Sequence, residues 1–226
     1  MMARTHALSG AAGWLAATPL IHGAAGVSLG PNEVIAGAVV TAGAALLPDL
    51  DHPQATVSRA LGPVSQLLSR GVHAAAGGHR QATHSLLFVV AVGVAMWALV
   101  EVNAEPVLGT AVAGLCVGLA IRAVGPKQMH SGGWLDLTLI AWTLVLTGVG
   151  VALVGTLAWL PFAVTGGVVL HLVGDLVTPR GVPLLWPRRG RYAIPLLGNT
   201  DGLVEQGLGL VLLVAIVWLG APLASG

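Results

Sequence analysis

Apolar residues in this chain fall in long, nearly unbroken runs, and the polar residues gather in the gaps between them. The runs cover residues 7–29, 34–47, 85–100, 106–124, 135–160, 161–177 and 203–219. A helix needs about 20 apolar residues, within about 17–25, to cross the hydrocarbon core of a bilayer. The pattern therefore predicts seven membrane segments, or five or six if the short runs at 34–47 and 85–100 tilt or re-enter without crossing. Lipid offers backbone groups no partner, so such segments satisfy themselves as helices. The expected fold class is all-α, a polytopic helical membrane protein forming one domain over residues 1–226. Small residues four apart, such as Gly114 and Gly118, suit close helix contacts. Residues 54–78 break the pattern. There Val57, Leu61, Val64, Leu67 and Leu68 recur at helical spacing among polar residues. That predicts an amphipathic helix lying at the membrane surface, interrupted near Gly62 and Pro63.

Composition agrees with a membrane chain. Only 8% of the 226 residues are charged and 55% are hydrophobic, where a soluble domain carries about 25% charged residues. A chain so poor in charge cannot cover a water-facing surface. A net charge of +1 gives no reason to expect nucleic acid as a partner. The single cysteine, Cys116, can form no internal disulfide and reads as a small packing residue. The first residues, MMARTHALSGAAGWLAA, carry an early arginine like a signal peptide. Gly13 and Trp14 interrupt that stretch and the apolar run continues, so it is expected to be retained.

Charge in the loops sets the expected orientation. With seven spans, all ten Lys and Arg fall on one side: Arg4; Arg59, Arg70 and Arg80; Arg122 and Lys127; Arg180, Arg188, Arg189 and Arg191. The other side holds Asn32, Glu33, Glu101 and Glu105 and no basic residue. Basic loops stay in the cytoplasm. The chain is therefore expected in the cytoplasmic (inner) membrane with its N-terminus in the cytoplasm.

The candidate chemistry collects on that same side. Of eight histidines, His6, His52, His73, His79, His84 and His130 fall in its loops or at segment ends, and His171 lies near one end of the sixth run. Asp49, Asp51, Asp136, Asp175, Asp201 and Glu205 join them. Three clusters stand out: LLPDLDHP with Asp49, Asp51 and His52; HRQATHS with His79 and His84; and HLVGD with His171 and Asp175. His171 and Asp175, four apart on a helix, share a face and can grip one ion. Two carboxylates as close as Asp49 and Asp51 repel unless a cation or a proton relieves them. An ionisable residue at membrane depth costs about 2.5–3.5 kcal/mol on insertion scales and marks function by default. A divalent metal or a proton relay would account for the clusters. His73 and His130 read as solvated side chains, His22 as a helix-packing hydrogen bond and Asp136 as a helix cap.

Taken together, PDLDH at 48–52, HRQATHS at 79–85 and HLVGDLVTPRGVPLLWP at 171–187 resemble the YdjM-like family, described as membrane-bound metal-dependent hydrolases. Thr5, His6 and Glu205 fit its pattern, so the resemblance runs from His6 to Glu205; Gln81 and Ala82 depart from what relatives often carry. More remotely the motifs are similar to zinc-dependent phospholipase C and the fungal zinc nucleases. The resemblance implies metal ligands at His6, Asp49, His52, His79, His84, His171 and Asp175, with catalytic roles for Asp51 and Glu205. It implies a divalent metal, zinc first, as two or three ions. The expected reaction is hydrolysis of a phosphoester in a lipid or lipid-linked substrate at the cytoplasmic surface, with Arg80 and Arg180 pairing with phosphate oxygens. Thr83, Ser85 and Thr178 are expected either to orient ligands or to cap helices. In LLWPRRGRYAIP, Trp186 and Tyr192 suit headgroup depth beside Arg188, Arg189 and Arg191. The rival readings are a divalent-cation or proton transporter, which would spread ionisable groups through the spans, and a membrane protein with a structural metal, which would close its coordination with four ligands.

Overall fold

A computed structural model describes residues 1–24, 27–55, 57–59, 62–129, 136–198 and 202–224. The chain is all-helical among these residues, apart from one isolated bridge between Val182 and Tyr192. His130, Asp201 and Leu61, three residues of the sequence reading, lie outside the described residues.

Among the described residues there are eight α-helices: α1 (Ala3–Ala24), α2 (Pro31–Ala44), α3 (Pro63–Ala76), α4 (Leu86–Glu101), α5 (Thr110–Val124), α6 (Leu137–Leu153), α7 (Leu160–Leu176) and α8 (Leu203–Gly220). All but α3 coincide with an apolar run. Three stretches, Pro31–Asp51, Pro106–Val124 and Leu203–Leu223, are long and apolar enough to cross a membrane. Leu86–Glu101, Leu137–Leu153 and Leu160–Leu176 are shorter apolar helices. Side-chain caps start two of them. Ser85 Oγ accepts from Phe88 N–H at α4, and Asp136 Oδ1 accepts from Leu139 N–H at α6.

In the middle of the bundle α1, α2 and α7 pack on one another; α5 adds to α2, α6 to α5, α4 to α7 and α8 to α1. Trp14, Val40, Cys116, Trp159 and Val164 fill the core between them, and Cys116 is fully buried there. Close approach needs a residue without a side chain at one point. A Cβ on Gly43 would run into the backbone carbonyl of Cys116, so α2 and α5 touch backbone to backbone. At the far end, Asn32 Nδ2 donates to Leu153 O and Gly155 N–H donates to Glu33 Oε1, which ties the start of α2 to the end of α6.

The amphipathic stretch is interrupted at Gly62 and Pro63, as its sequence predicts. Val57 sits in a separate short turn and packs inward beside Leu46 and Leu119. Helix α3 begins only at Pro63, and its apolar face is the outward one. Leu67 and Leu68 are 73% and 55% exposed, while Ser65 and Ser69 turn inward. Ser65 Oγ donates to Ser58 O and so holds α3 to that turn. Outward leucines suit a helix resting on a membrane surface.

Chain direction decides where the chemistry lands. Helices α1 and α4 begin, and α2 and α7 end, at the same end of the bundle, which is where His6, Asp49, His84 and Asp175 lie. A Gly43→Ala exchange should destabilise the bundle by about 1–3 kcal/mol, as overpacking does, read as a lower midpoint in detergent unfolding. Gly148→Ala, with open space around that position, should leave the midpoint unchanged or slightly raised.

Candidate metal centre

Each motif enters the centre from its own element. Helix α2 stops before Pro48, and a 3₁₀ turn, Leu47–Asp51, carries Asp49 and Asp51 off its end. A second turn, Ala82–His84, presents His84 just ahead of the Ser85 cap of α4. His171 and Asp175 share a face of α7 one turn apart. Helix α1 adds His6, whose ring stacks on His171 with centroids 3.9 Å apart. Gly174 makes that stack fit, because a Cβ there would press on the His6 ring at 3.2 Å. His6, His84, His171, Asp51 and Asp175 are all buried.

Hydrogen bonds fix which ring nitrogens are free. His171 Nδ1 lies 2.7 Å from Ala45 O, and a carbonyl can only accept, so Nδ1 carries the proton. Thr83 Oγ1 gives its own proton to Asp51 Oδ2 and so accepts from His84 Nδ1 at 3.0 Å. In its neutral form each ring therefore keeps a lone pair on Nε2, and these two nitrogens lie 3.2 Å apart, where a proton or a cation can bridge them. Asp49 Oδ1 lies 3.6 and 3.8 Å from the same two nitrogens, and Asp175 Oδ2 lies 3.6 and 3.7 Å from them. A tetrahedral ion with ligands at about 2.0–2.2 Å holds those ligands about 3.3–3.6 Å apart. The donor set fits a divalent cation in chemistry and in spacing. Asp175 Oδ2 and His6 Nδ1, both buried, have no hydrogen-bond partner.

Three overlapping groups bring their ligand atoms within 4.8 Å of one another: His6, Asp49 and His171; Asp49, His79 and His84; and His84, His171 and Asp175. Asp51 faces the outer nitrogens of the rings. It accepts from His79 Nδ1 at 2.7 Å, from Arg80 N–H at 2.9 Å and from Thr83 Oγ1, and its backbone oxygen bonds His73 Nδ1 at 2.7 Å. A carboxylate behind a histidine in this way fixes the ring and raises its basicity. His73 is thus held in place, in contrast to the solvated side chain its sequence context suggests. Burial disfavours charge on His84, but hydrogen bonds and charge from Asp49 and Asp51 outweigh it and hold its pKa above the ordinary histidine value. The spot favours positive charge.

Arg80 joins two parts of the site. It adopts a left-handed backbone at φ 57°, its N–H holds Asp51, and its Nη2 pairs with Asp175 Oδ1 at 2.6 Å. The Met1 amino group sits 3.0 Å from the same oxygen. Arg191 reaches across to Arg80 O and Arg180 O. Beside the cluster opens a polar cavity of about 660 Å³ whose lining includes Asp49, His52, His79, Arg80, Thr178 and Arg180. His52 reaches this cavity, but its Nδ1 accepts from Gln54 N–H at 3.1 Å, and it belongs to none of the three groups. Glu205 comes from the first turn of α8, accepts from Met2 N–H, and also stands outside them. Ser85 and Thr178 bond backbone carbonyls and serve as caps, whereas Thr83 orients His84. The sequence reading had no signal for Ala45 O or for Gly174, since a carbonyl and a missing side chain leave no chemical mark.

The sequence pattern of a family described as "YdjM inner membrane protein" matches residues 1–225. Relatives called "Inner membrane protein YdjM" in Escherichia coli (strain K12) and in Shigella flexneri are each 27% identical over 192 residues. Those alignments take in 83% of this chain and 66% of each relative, so the chain spans just under two thirds of the curated relatives it matches. No solved structure matches. The family pattern runs through every element that brings a residue to the cluster, and the chain belongs to the YdjM inner membrane protein family.

Proposed function

We propose that the cluster is a divalent-metal centre, zinc by its donor chemistry, that hydrolyses a phosphoester of a lipid or lipid-linked substrate at the cytoplasmic face of the membrane. The observation that carries this reading is the pair of Nε2 lone pairs facing each other at 3.2 Å. Two such nitrogens repel unless a cation or proton lies between them, and Asp49 and Asp175 add negative charge at the same point. Imidazole nitrogen with carboxylate oxygen is a donor set that zinc accepts. Three overlapping groups support two or three ions.

In this reading His84, His171, Asp49 and Asp175 hold the first ion, and His6 and His79 extend the set towards further ones. A divalent ion supplies Lewis acidity, lowering the pKa of water to about 7 and polarising a phosphoryl oxygen. The protein's residues do the rest. Asp51 has its oxygens committed to His79, Arg80 and Thr83, which favours a positioning role over that of a base. Arg80 holds Asp175 in place, and together with the exposed Arg180 it gives the adjoining cavity positive charge for a phosphate. Glu205 accepts from Met2 N–H and so ties α8 to the N-terminal residues.

The cytoplasmic orientation rests on the loop charges. Arg59, Arg70, Arg80 and Arg180 belong to segments at the cluster's end of the bundle, and Glu33 and Glu101 to the other end. Seven crossings, with α1 and the short apolar helices included, would give that alternation. Outward Leu67 and Leu68 on α3 support a position of the same end at the membrane surface, where a lipid substrate would arrive.

Elemental analysis of the detergent-purified protein should find stoichiometric divalent metal, lost in His171→Ala and in Asp49→Ala. Set beside a panel of phosphomonoester, phosphodiester and phospholipid substrates, wild type should hydrolyse at least one and both variants none. Metal-free wild type that behaves like its variants would overturn the reading. Asp51→Asn removes no ligand, yet should weaken metal affinity about 10–100-fold in a chelator competition, as loss of an orienting carboxylate does.

A further inference from the structure

His52 stands in the PDLDH motif with two candidate ligands, but its ring is wired the opposite way. His84 and His171 give up the Nδ1 proton to an acceptor and keep a lone pair on Nε2. His79 does the same, its Nδ1 donating to Asp51. His52 Nδ1 instead accepts, from the backbone N–H of Gln54 at 3.1 Å. A backbone N–H can only donate, so the lone pair of His52 is spent on Nδ1 and the proton of the neutral ring sits on Nε2. A nitrogen that carries a proton has no lone pair for a metal.

The surroundings of that N–H say what it serves. The His52 ring stands edge-on to His79, with centroids 4.5 Å apart and planes at 81°, and it lines the polar cavity beside the cluster. Its Nε2 has no protein partner among the described hydrogen bonds. Arg180 is exposed on the same cavity, and Arg80 lines it too, although its Nε and Nη1 are buried, without a hydrogen bond among the described residues. The cavity therefore gathers two donors, His52 Nε2–H and the Arg180 guanidinium, beside the cluster. Asp49 is its one acidic lining residue, and Asp49 belongs to the metal-capable set.

We infer that His52 is a substrate contact and not a metal ligand: its Nε2–H, with Arg180, binds the phosphoryl oxygens of the substrate in this cavity. The inference rests on the metal-centre reading, because an ion on Asp49 removes the repulsion that an anion in the cavity would otherwise meet. The role needs no change in the charge of His52; the neutral ring donates as it stands.

The test uses the full chain in detergent, with inorganic phosphate as the probe. His52→Ala should hold as much metal as wild type, while His84→Ala loses it. Phosphate affinity, by calorimetry on the metal-loaded proteins, should fall about tenfold or more in His52→Ala, the usual weight of a hydrogen bond to a charged group. His52→Gln, which keeps an N–H donor, should recover part of it. A spectrum of isotope-labelled histidine should lose an Nε2–H resonance in His52→Ala. Loss of metal from His52→Ala overturns the inference and makes His52 a ligand. Unchanged metal and unchanged phosphate affinity overturn it as well, since His52 then touches neither. Metal-free wild type is a different failure, that of the metal-centre reading, and takes this inference with it.

Discussion

The structure turns on two imidazole nitrogens, His84 Nε2 and His171 Nε2, held lone pair to lone pair at 3.2 Å. Left alone they would rotate apart. They stay because each ring is pinned from behind, His171 by the carbonyl of Ala45 and His84 by Thr83, which Asp51 holds in turn. The pins belong to the ends of α2 and to the turn before α4, so the meeting of the two nitrogens is set by how the helices pack. The carboxylates sharpen the demand. Asp51 is answered by several donors, and Asp175 Oδ1 by Arg80, but among the described residues Asp175 Oδ2 is buried without a hydrogen bond, and Asp49 lies beside His84 and His171. Burying uncompensated charge costs several kcal/mol per ion. Positive charge at the point where Asp49, Asp175 and the two nitrogens converge relieves all four groups together.

The fold brings that about with simple means. Helices running alternately up and down return every second end to the same level, and each of the four elements with metal-capable residues begins or ends there. Gly43 lets α2 and α5 meet backbone to backbone, and Gly174 leaves space on α7 for the His6 ring. Neither glycine offers a ligand atom, yet each allows a close approach within the bundle. Arg80 works similarly from a loop. Its left-handed backbone sends its N–H to one aspartate while its side chain turns to another.

Much of this was legible in the sequence. Apolar runs are long and unbroken when lipid surrounds a helix, so the helices of the bundle could be placed from hydropathy. Proline after LL at 46–47 marked the end of α2, and a charged motif at each segment end marked the site, because carboxylates and histidines are rare in such a chain. The partition within the motifs was not legible. Asp49 and Asp51 differ by two positions, and a 3₁₀ turn, not the sequence, sends one to the cluster and the other behind it. His52 and His84 are the same residue type, separated only by which backbone or side-chain group each meets. The break near Gly62 and Pro63 was legible at 57–68, but not that Val57 packs inward while Leu67 and Leu68 face out.

The same partition explains why one loop motif can serve both an ion and what lies beside it. A 3₁₀ turn closes in about 3.0 residues, against 3.6 for an α-helix, so neighbours in PDLDH leave it in well-separated directions. Asp49 points to the inner nitrogens, Asp51 to the outer ones, and His52, with its Nδ1 caught by Gln54 N–H, opens on the cavity. An α-helical continuation of α2 would have set Asp49 and His52, three apart, on one face. Both would then have faced the cluster, and the cavity would have lost its histidine donor. Pro48 rules that out, having no N–H to continue the α2 ladder. The proline that ends a membrane helix is thus also the residue that sends Asp49, Asp51 and His52 in separate directions.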